Sequence, residues 1–376
     1  MRLIHTADWQ IGKVFRFVGD DTMALLQAAR LGAISRLGRL AREHGAEMVL
    51  VAGDVYDKEG LADRTLVQPL ERMRDHADIA WHLIPGNHDP HRPNGIWQRV
   101  RALGLPSNVH VHLKPLPIPL NDQSHLLPAP LRQHQTVGDP TAWMNDAETP
   151  PGTIRIGLAH GSITAFGTQV QTPNLIAPDR AAQAGIAYLA LGDWHGTKKI
   201  NQRTWYAGTP EPDRFDRPES GQALLVEIGR AAAPAVNLLE TGHYHWLQDL
   251  AVLHDGEDIT RLCDRLRSEH DDLSRVLLDL GIEGVLSLAE RACFEREIEI
   301  SLGAALCHLR LSIDDLRVDP SADDLDELAQ DHVIRDAVKR LKAIADDQDH
   351  ADRDAADRAL QHLYLACHKR QKGVAA

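Results

Sequence analysis

The 376-residue chain is 43% hydrophobic and 25% charged, a balance that suits a packed protein and excludes a disordered one. Its net charge of −13 sits entirely in the tail: residues 1–230 hold 24 acids and 24 bases, and the remainder holds 30 and 17. A basic field over the whole molecule is therefore excluded, although bound divalent cations add positive charge that a sequence count omits. The acidic tail reads as an exposed helical face. No run of about 18 uncharged apolar residues occurs, which excludes a membrane-spanning helix. The opening MRLIHTADWQ lacks an apolar signal core and reads as a first strand. Cys263, Cys293, Cys307 and Cys367 form no C-x-x-C pair, so free thiols in a reducing cytoplasm are expected.

In chain order, Leu3–Ala7 reads as a strand and Thr22–His44 as a helix with apolar Leu25, Leu26, Ala29, Ile34, Leu37 and Leu40. Met48–Ala52 is a buried strand, Arg64–His76 a helix, and Ile79–Ile84 a third strand ending in Pro-Gly. Residues 105–152 are Pro-rich and read as loops with short strands around Val109–His112 and His125–Leu127. Strands return at Ile154–Ala159, Tyr188–Leu191, Thr204–Gly208 and Gln222–Ile228, with a helix at Asp179–Gly185. This alternation predicts a layered α/β domain over residues 1–230. A small α+β domain is expected over 235–318. It comprises strands within 235–253, a helix Asp258–Glu269 opened by an Asp cap, and strands Ser274–Ile282 and Arg296–Ser301. Two helices, Leu325–Ala345 and Ala351–His368, carry an apolar stripe (Leu325, Leu328, Ile334, Val338, Leu341, then Leu360, Leu363, Leu365) and make up a C-terminal segment over 322–376.

Five clusters place metal-binding side chains directly after apolar strands: Asp8-Trp9-Gln10, Gly53-Asp54 through Asp57, Gly86-Asn87-His88-Asp89, His160-Gly161, and Gly192-Asp193-Trp194-His195. Each alone is an ordinary turn. In series they suggest a centre for two divalent ions, because mixed oxygen and imidazole donors suit Mn²⁺ or Fe²⁺. Two cations roughly 3.5–4 Å apart need a bridging carboxylate, and Asp54, released from a central strand by turn-permissive Gly53, is the candidate. His88 is then free to donate a proton to a leaving oxygen, with Asp89 expected to orient its imidazole.

The clusters resemble the metallophosphoesterase signature D-x-H, G-D-x-x-D, G-N-H-D, a lone H, and G-H-x-H. With the HTADWQIGK opening they most resemble the SbcD-type nucleases of double-strand-break repair. The signature covers residues 1–210; the later parts match only in length and order. The resemblance implies a two-sheet metallophosphoesterase sandwich flanked by helices, a small α+β capping domain, and C-terminal helices. It also implies two Mn²⁺ ions (Mg²⁺ as the substitute), DNA as substrate, an SbcC-like SMC-type ATPase docked through the C-terminal helices, and a homodimer. Carried over to this chain, Asp8, Asp54 and His195 would hold one ion, Asp54, Asn87 and His160 the other, and His88 would be the proton donor. Gln10 stands where the family usually has His, and Asp193 where it has the first His of G-H-x-H. Both remain ligand candidates, and together they shift the expected preference toward harder ions such as Mn²⁺ or Mg²⁺ over Fe²⁺ or Zn²⁺.

Competing readings are a phosphatase or phosphodiesterase of a small molecule or phosphoprotein, and a weakly active scaffold with a degenerate first metal site. Lys13, Arg16, Lys198, Lys199, Arg203, Arg214 and Arg217 are candidates for contacts to flanking phosphates, with scattered surface bases as the plainer reading. Trp9 and Trp194 are expected to pack beneath the metal loops. His5, His82, His110, His112, His125 and His134 are assigned to structure or solvent. The G-H-Y-H run with His243 and His245 imitates the fifth cluster but falls after the last α/β strands.

Overall fold

The computed structural model describes residues 1–163, 173–216, 219–229, 232–318, 332–347, 350–353, 355–360 and 362–363. They divide into two compact units, Met1–His245 and Trp246–Ala376. The first is a sandwich of two six-stranded sheets. One sheet runs, in spatial order, β14 (Ala235–Glu240), β13 (Gln222–Glu227), β1 (Arg2–Thr6), β2 (Met48–Val51), β3 (Ala80–Leu83) and β4 (Val109–Val111). The other runs β11 (Lys198–Lys199), β12 (Thr204–Tyr206), β10 (Tyr188–Gly192), β7 (Ile154–His160), β6 (Ser124–Ala129) and β5 (Ile118–Asn121), and the short strands β8 (Ser162–Ile163) and β9 (Leu175–Ile176) pair with each other. This is the α/β class that the strand and helix alternation predicts.

The period of two in each strand decides which layer a residue enters. On β1, Leu3 joins the inter-sheet core with Leu50, Leu158, Ala190 and Leu224, while Ile4 faces the helices with Val49, Trp81 and Leu225. Those helices are α1 (Asp20–Glu43), α2 (Asp63–Arg74) and α3 (Ile96–Leu103). The far face of the second sheet packs Leu127, Leu189, Leu191 and Tyr206 on α4 (Arg180–Gln183) and neighbouring loops. Strands β1 to β4 are mutually parallel, as are β6, β7, β10 and β12. Their carboxyl ends thus open loops on one edge of each sheet.

Residues 235–240, expected in the second domain, instead form β14 on the first sheet. The seven-residue connection from β13 is short enough to favour antiparallel pairing with it, Gln222 opposite Glu240 through Glu227 opposite Ala235.

The second unit has a three-stranded sheet of β15 (His245–Leu253), β16 (Val276–Leu286) and β17 (His308–Val318), with α5 (Gly256–Glu269) and α6 (Leu288–Phe294). The cap of α5 is Asp255, whose carboxylate accepts from the amides of Glu257 and Asp258; it is not Asp258. Arg296–Ser301, expected as a strand, is helical within Glu295–Leu302. Phe294, Ile298 and Leu302, four apart, are buried in the core, whereas Ile300 is exposed, so the true period is helical. The helix His332–Asp346 contributes Val338 and Ala345 to a cluster with Leu288, Ala356 and Leu360. Leu325, Leu328, Leu365 and Cys367 lie outside the described residues. No helix among the described residues is long and apolar enough to cross a membrane.

Candidate metal centre

The candidate ligands sit where the parallel strands end: Asp8 and Gln10 follow β1, Asp54 follows β2, Asn87 and His88 follow β3, His160 closes β7, and Asp193 and His195 follow β10. The chain turns sharply there. Six described non-glycine residues have positive φ, and four of them are Asp8 (54°), Gln10 (44°), Asp54 (52°) and Asp193 (103°). Each such residue costs of order 1 kcal/mol or more, so their concentration marks a site held by its surroundings. Asp8 N bonds to Gly53 O (3.1 Å) and Gln10 N to Asp54 O (2.8 Å), locking the first two loops together. A β-carbon at Gly86 would collide with the Asp54 carboxylate, and one at Gly53 with the His160 ring, so glycine at both positions permits the close approach.

Asp8, Asp54 and His160, all buried, each offer a ligand atom within 4.8 Å of the others. His160 Nδ1 lies 2.8 Å from Ala52 O, and a carbonyl only accepts, so Nδ1 carries the proton. Its Nε2 then points at Asn87 Oδ1 (3.3 Å), Asp54 Oδ1 (3.6 Å) and Asp193 Oδ1 (3.8 Å). Electron pairs converging on one point are stable only around a positive charge, either a proton or a metal ion. Burial pulls the His160 pKa down, but Asp54, Asp8 and Asp193 outweigh it and raise the value to about 9. Burial pushes Asp8 up to about 6, against the pull of His160 and His195. These groups fit a divalent cation: one imidazole nitrogen, an amide oxygen and carboxylates, mostly sealed from water.

Gln10 and His195 are brought together on the neighbouring side, Gln10 Nε2 lying 3.2 Å from His195 Nε2. The Gln10 oxygen accepts from Lys13 Nζ (2.7 Å), and Lys13 also pairs with Asp213. Lys13 is therefore turned inward and is no phosphate contact here. His195 Nδ1 lies 2.9 Å from Asp213 Oδ2. Burial would raise Asp213, yet His195, Lys13 and Arg30 hold its carboxyl well below the usual range.

His88 is exposed at the mouth; its backbone N donates to Asp54 Oδ1 (2.9 Å), and its Nε2 lies 4.0 Å from Asp54 Oδ2. Asp89 does not orient it. The Asp89 carboxylate accepts from the amides of Gly86 (2.6 Å) and Tyr56 (3.1 Å), fixing the two loops, and burial drives its pKa far upward. The group aligned with His88 is the carbonyl of Asp57, 2.9 Å from Nδ1. A main-chain acceptor leaves no residue-type signal in a sequence.

Three other partners escaped the sequence reading. Arg30, buried on α1, donates to the carbonyls of Trp9, Asp8 and Glu211 and to Thr209 Oγ1, tying the first loop to the last. Ser162 Oγ donates to Asp193 Oδ2 (2.6 Å). His134 Nδ1 lies 2.9 Å from Asn87 O and its ring stands edge-on to His88, so it belongs to the surroundings of the site and not to solvent. Trp9 packs as expected, buried against Trp81 with Nε1 on Thr6 Oγ1. Lys198 lies over the Trp194 ring and Lys199 over Trp205. Arg217 lies outside the described residues. The backbone amides of His243 and Tyr244 donate to Glu211, which places the G-H-Y-H imitation on the turn after β14.

A family model of calcineurin-like phosphoesterases matches residues 1–196. Curated relatives include the SbcD subunit of nuclease SbcCD from Bacillus subtilis (strain 168), 25% identical over 123 residues, covering 30% of each chain. Its counterpart of the same name from Rhodobacter capsulatus is 33% identical over 94 residues, covering 24% of this chain and 22% of the relative. The chain thus aligns with less than a third of the length of these relatives. A solved structure, TT1561 of Thermus thermophilus, is similar with TM-score 0.40 at 12% identity, covering 64% of this chain and 98% of that one.

Proposed function

The chain belongs to the calcineurin-like phosphoesterase family, and from that premise we propose that it is a metal-dependent nuclease that hydrolyses DNA phosphodiesters. One observation carries the reading: an exposed imidazole stands over a buried cluster of converging ligand atoms, His88 Nε2 lying 4.0 Å from the Asp54 carboxylate. Asp54, Asn87 and His160, with Asp8 and Asp193 beside them, would hold a divalent ion, Mn²⁺ by preference. Such an ion, when bound, supplies Lewis acidity toward a phosphoryl oxygen and lowers the pKa of water. His88 donates through Nδ1 to the Asp57 carbonyl, so when the ring carries both protons it is the Nε2 proton that passes to the leaving oxygen, and the ring remains neutral with its proton on Nδ1. Asp89 and Arg30 keep the loops in register while this happens.

Nucleic acid is the proposed substrate class because the partial similarity to nuclease subunits falls on this chain. The same similarity supports a place in DNA repair or end processing, with an SbcC-like SMC-type ATPase docked on the C-terminal helices, the second unit as a cap, and a homodimer as the working form. The test incubates purified protein and Mn²⁺ with labelled duplex DNA, single-stranded DNA, or a chromogenic phosphodiester, alongside His88→Ala. Nucleotide products that vanish in the variant are expected. Turnover of the small ester alone would move the substrate to small molecules, and silence on all three would sink the enzyme reading.

A further inference from the structure

We infer that the two halves of this centre are unequal: the half built on Asp54, Asn87 and His160 takes a divalent cation, while Lys13 is the resident cation of the half built on Gln10 and His195. The inference rests on the phosphoesterase reading and concerns how many ions the site accepts.

In the second half each polar group faces a partner of this chain. An ammonium can only donate, so the oxygen of the Gln10 amide must face Lys13, and its NH₂ must face His195. His195 Nε2 is then an acceptor, and its Nδ1 edge meets Asp213. Asp213 returns the circuit to Lys13. Of the groups that would ligate an ion in this half, Gln10 Oε1 and His195 Nε2 are engaged by neighbours of this chain, which leaves only the carboxylates of Asp8 and Asp54. Lys13 and Asp213 are shielded, their side chains 18% and 0% exposed, so the pair is not a loose surface contact.

The His160 half shows the opposite arrangement. Acceptor atoms face one another around His160 Nε2, and among the described residues no lysine or arginine side chain reaches in to relieve them. An ion entering the Gln10 half must break the Gln10–His195 contact and sit near an ammonium. Repulsion between a divalent ion and a unit charge roughly 5 Å away, at an effective dielectric of about 20, would alone weaken binding by four to five orders of magnitude; the Asp213 carboxylate paired with Lys13 offsets most of this, which leaves a loss of about a hundredfold.

The test counts ions and reads their magnetic coupling. The full chain is stripped with chelator and dialysed against rising Mn²⁺; bound metal is measured by mass spectrometry and the spectrum by electron paramagnetic resonance. The expected result is one ion per chain at micromolar free Mn²⁺, with an uncoupled signal, and a second step about a hundredfold weaker. Lys13→Met should tighten that second step by a similar factor, and Gln10→His in the same chain should give two coupled ions. Two ions of equal affinity with a coupled signal in the unaltered chain would overturn the inference and leave the phosphoesterase reading standing. No bound Mn²⁺ at any concentration would overturn both. The count on the unaltered chain decides the matter even if a variant fails to fold.

Discussion

Among the described residues, every buried polar or charged side chain lies in Met1–His245, from His5 to Thr241, whereas the buried side chains of the second unit are apolar. Within the first unit these groups gather at the strand ends (Asp8, Gln10, Asp54, Asp89, His160, Asp213), together with the buried Arg30 that ties the loops. The second unit is filled by Leu, Ile, Val, Phe294 and Cys263. Burying ionisable groups costs free energy that only pairing offsets. The first unit therefore carries a chemical load on its apolar layers, and the second is stabilised chiefly by hydrophobic burial.

Substitution should separate the two regions, and the largest expected effect is at Asp54. Asp54→Asn removes a carboxylate central to the ligand cluster and should lower phosphodiester turnover by about a thousandfold or more. The same change relieves crowding with Asp8 and Asp89, whose carboxyls Asp54 pushes upward in pKa. It also removes the charge that most favours protonated His160, so the two effects oppose each other and melting of the metal-free variant should stay near that of the unaltered chain. A large drop in melting temperature would show that the cluster is structural. Phe294→Ala in the second unit should do the reverse. Deleting a fully buried ring costs about 3–5 kcal/mol, read as a lower denaturation midpoint, while metal binding by the folded chain is unchanged. If both variants lose stability alike, the contrast between the regions fails.

A smaller effect, in pH, sharpens the same contrast. The fold raises His160 from its ordinary 6.5 to about 9, so the stability it contributes is complete below pH 6.5 and is lost as pH climbs through 9. Asp8, raised to about 6, contributes fully below 3.8 and ceases to do so as pH rises through 6. Metal-free protein should thus lose stability between pH 6.5 and 9, by an amount of the order of 3 kcal/mol. Mn²⁺ requires the deprotonated ligands and should abolish or invert this slope. Denaturant titrations at several pH values, with chelator and with Mn²⁺, measure it; a flat metal-free profile would contradict the clustered charge.

Much of the first unit was legible because strands and chemistry coincide there. Leu3, Met48, Ala80, Ile154 and Tyr188 begin or lie near the start of apolar runs whose carboxyl ends carry the ligand types, and the two-residue period assigns the layers. What was not legible depends on the third dimension. Asp213 lies among ordinary turn residues until the fold sets it against His195 and Lys13. Arg30 looks like any helical base until α1 buries it. The Asp57 carbonyl carries no residue signal at all, and Asp89 was credited with a task that it performs for backbone amides. In the second unit, Ile298, Ile300 and Leu302 satisfy a strand period, while Ile298 and Leu302 also satisfy a helix period, and the burial of Phe294 in line with them against the exposure of Ile300 decides between the two. Helix α3 went unread because its two turns follow a Pro- and Gly-rich stretch that resembles a loop.

The smallest expected effect tests whether the second unit's stability is otherwise local and ordinary. Asp255 opens α5 with an extended backbone, and its Oδ1 accepts from Glu257 N (2.9 Å) and Asp258 N (3.0 Å). Those amides have no partner inside the helix, and the carboxylate also meets the positive end of the helix dipole. Asp255 itself is exposed, so its loss removes the cap without opening a cavity. Asp255→Ala should therefore cost about 1 kcal/mol, and Asp255→Asn, which keeps an accepting oxygen, a fraction of that. Neither should alter metal stoichiometry. The ordering Ala worse than Asn, seen in denaturation midpoints, isolates the hydrogen bonds from the charge; equal losses would assign the effect to the dipole, and none would mean that water caps the helix equally well.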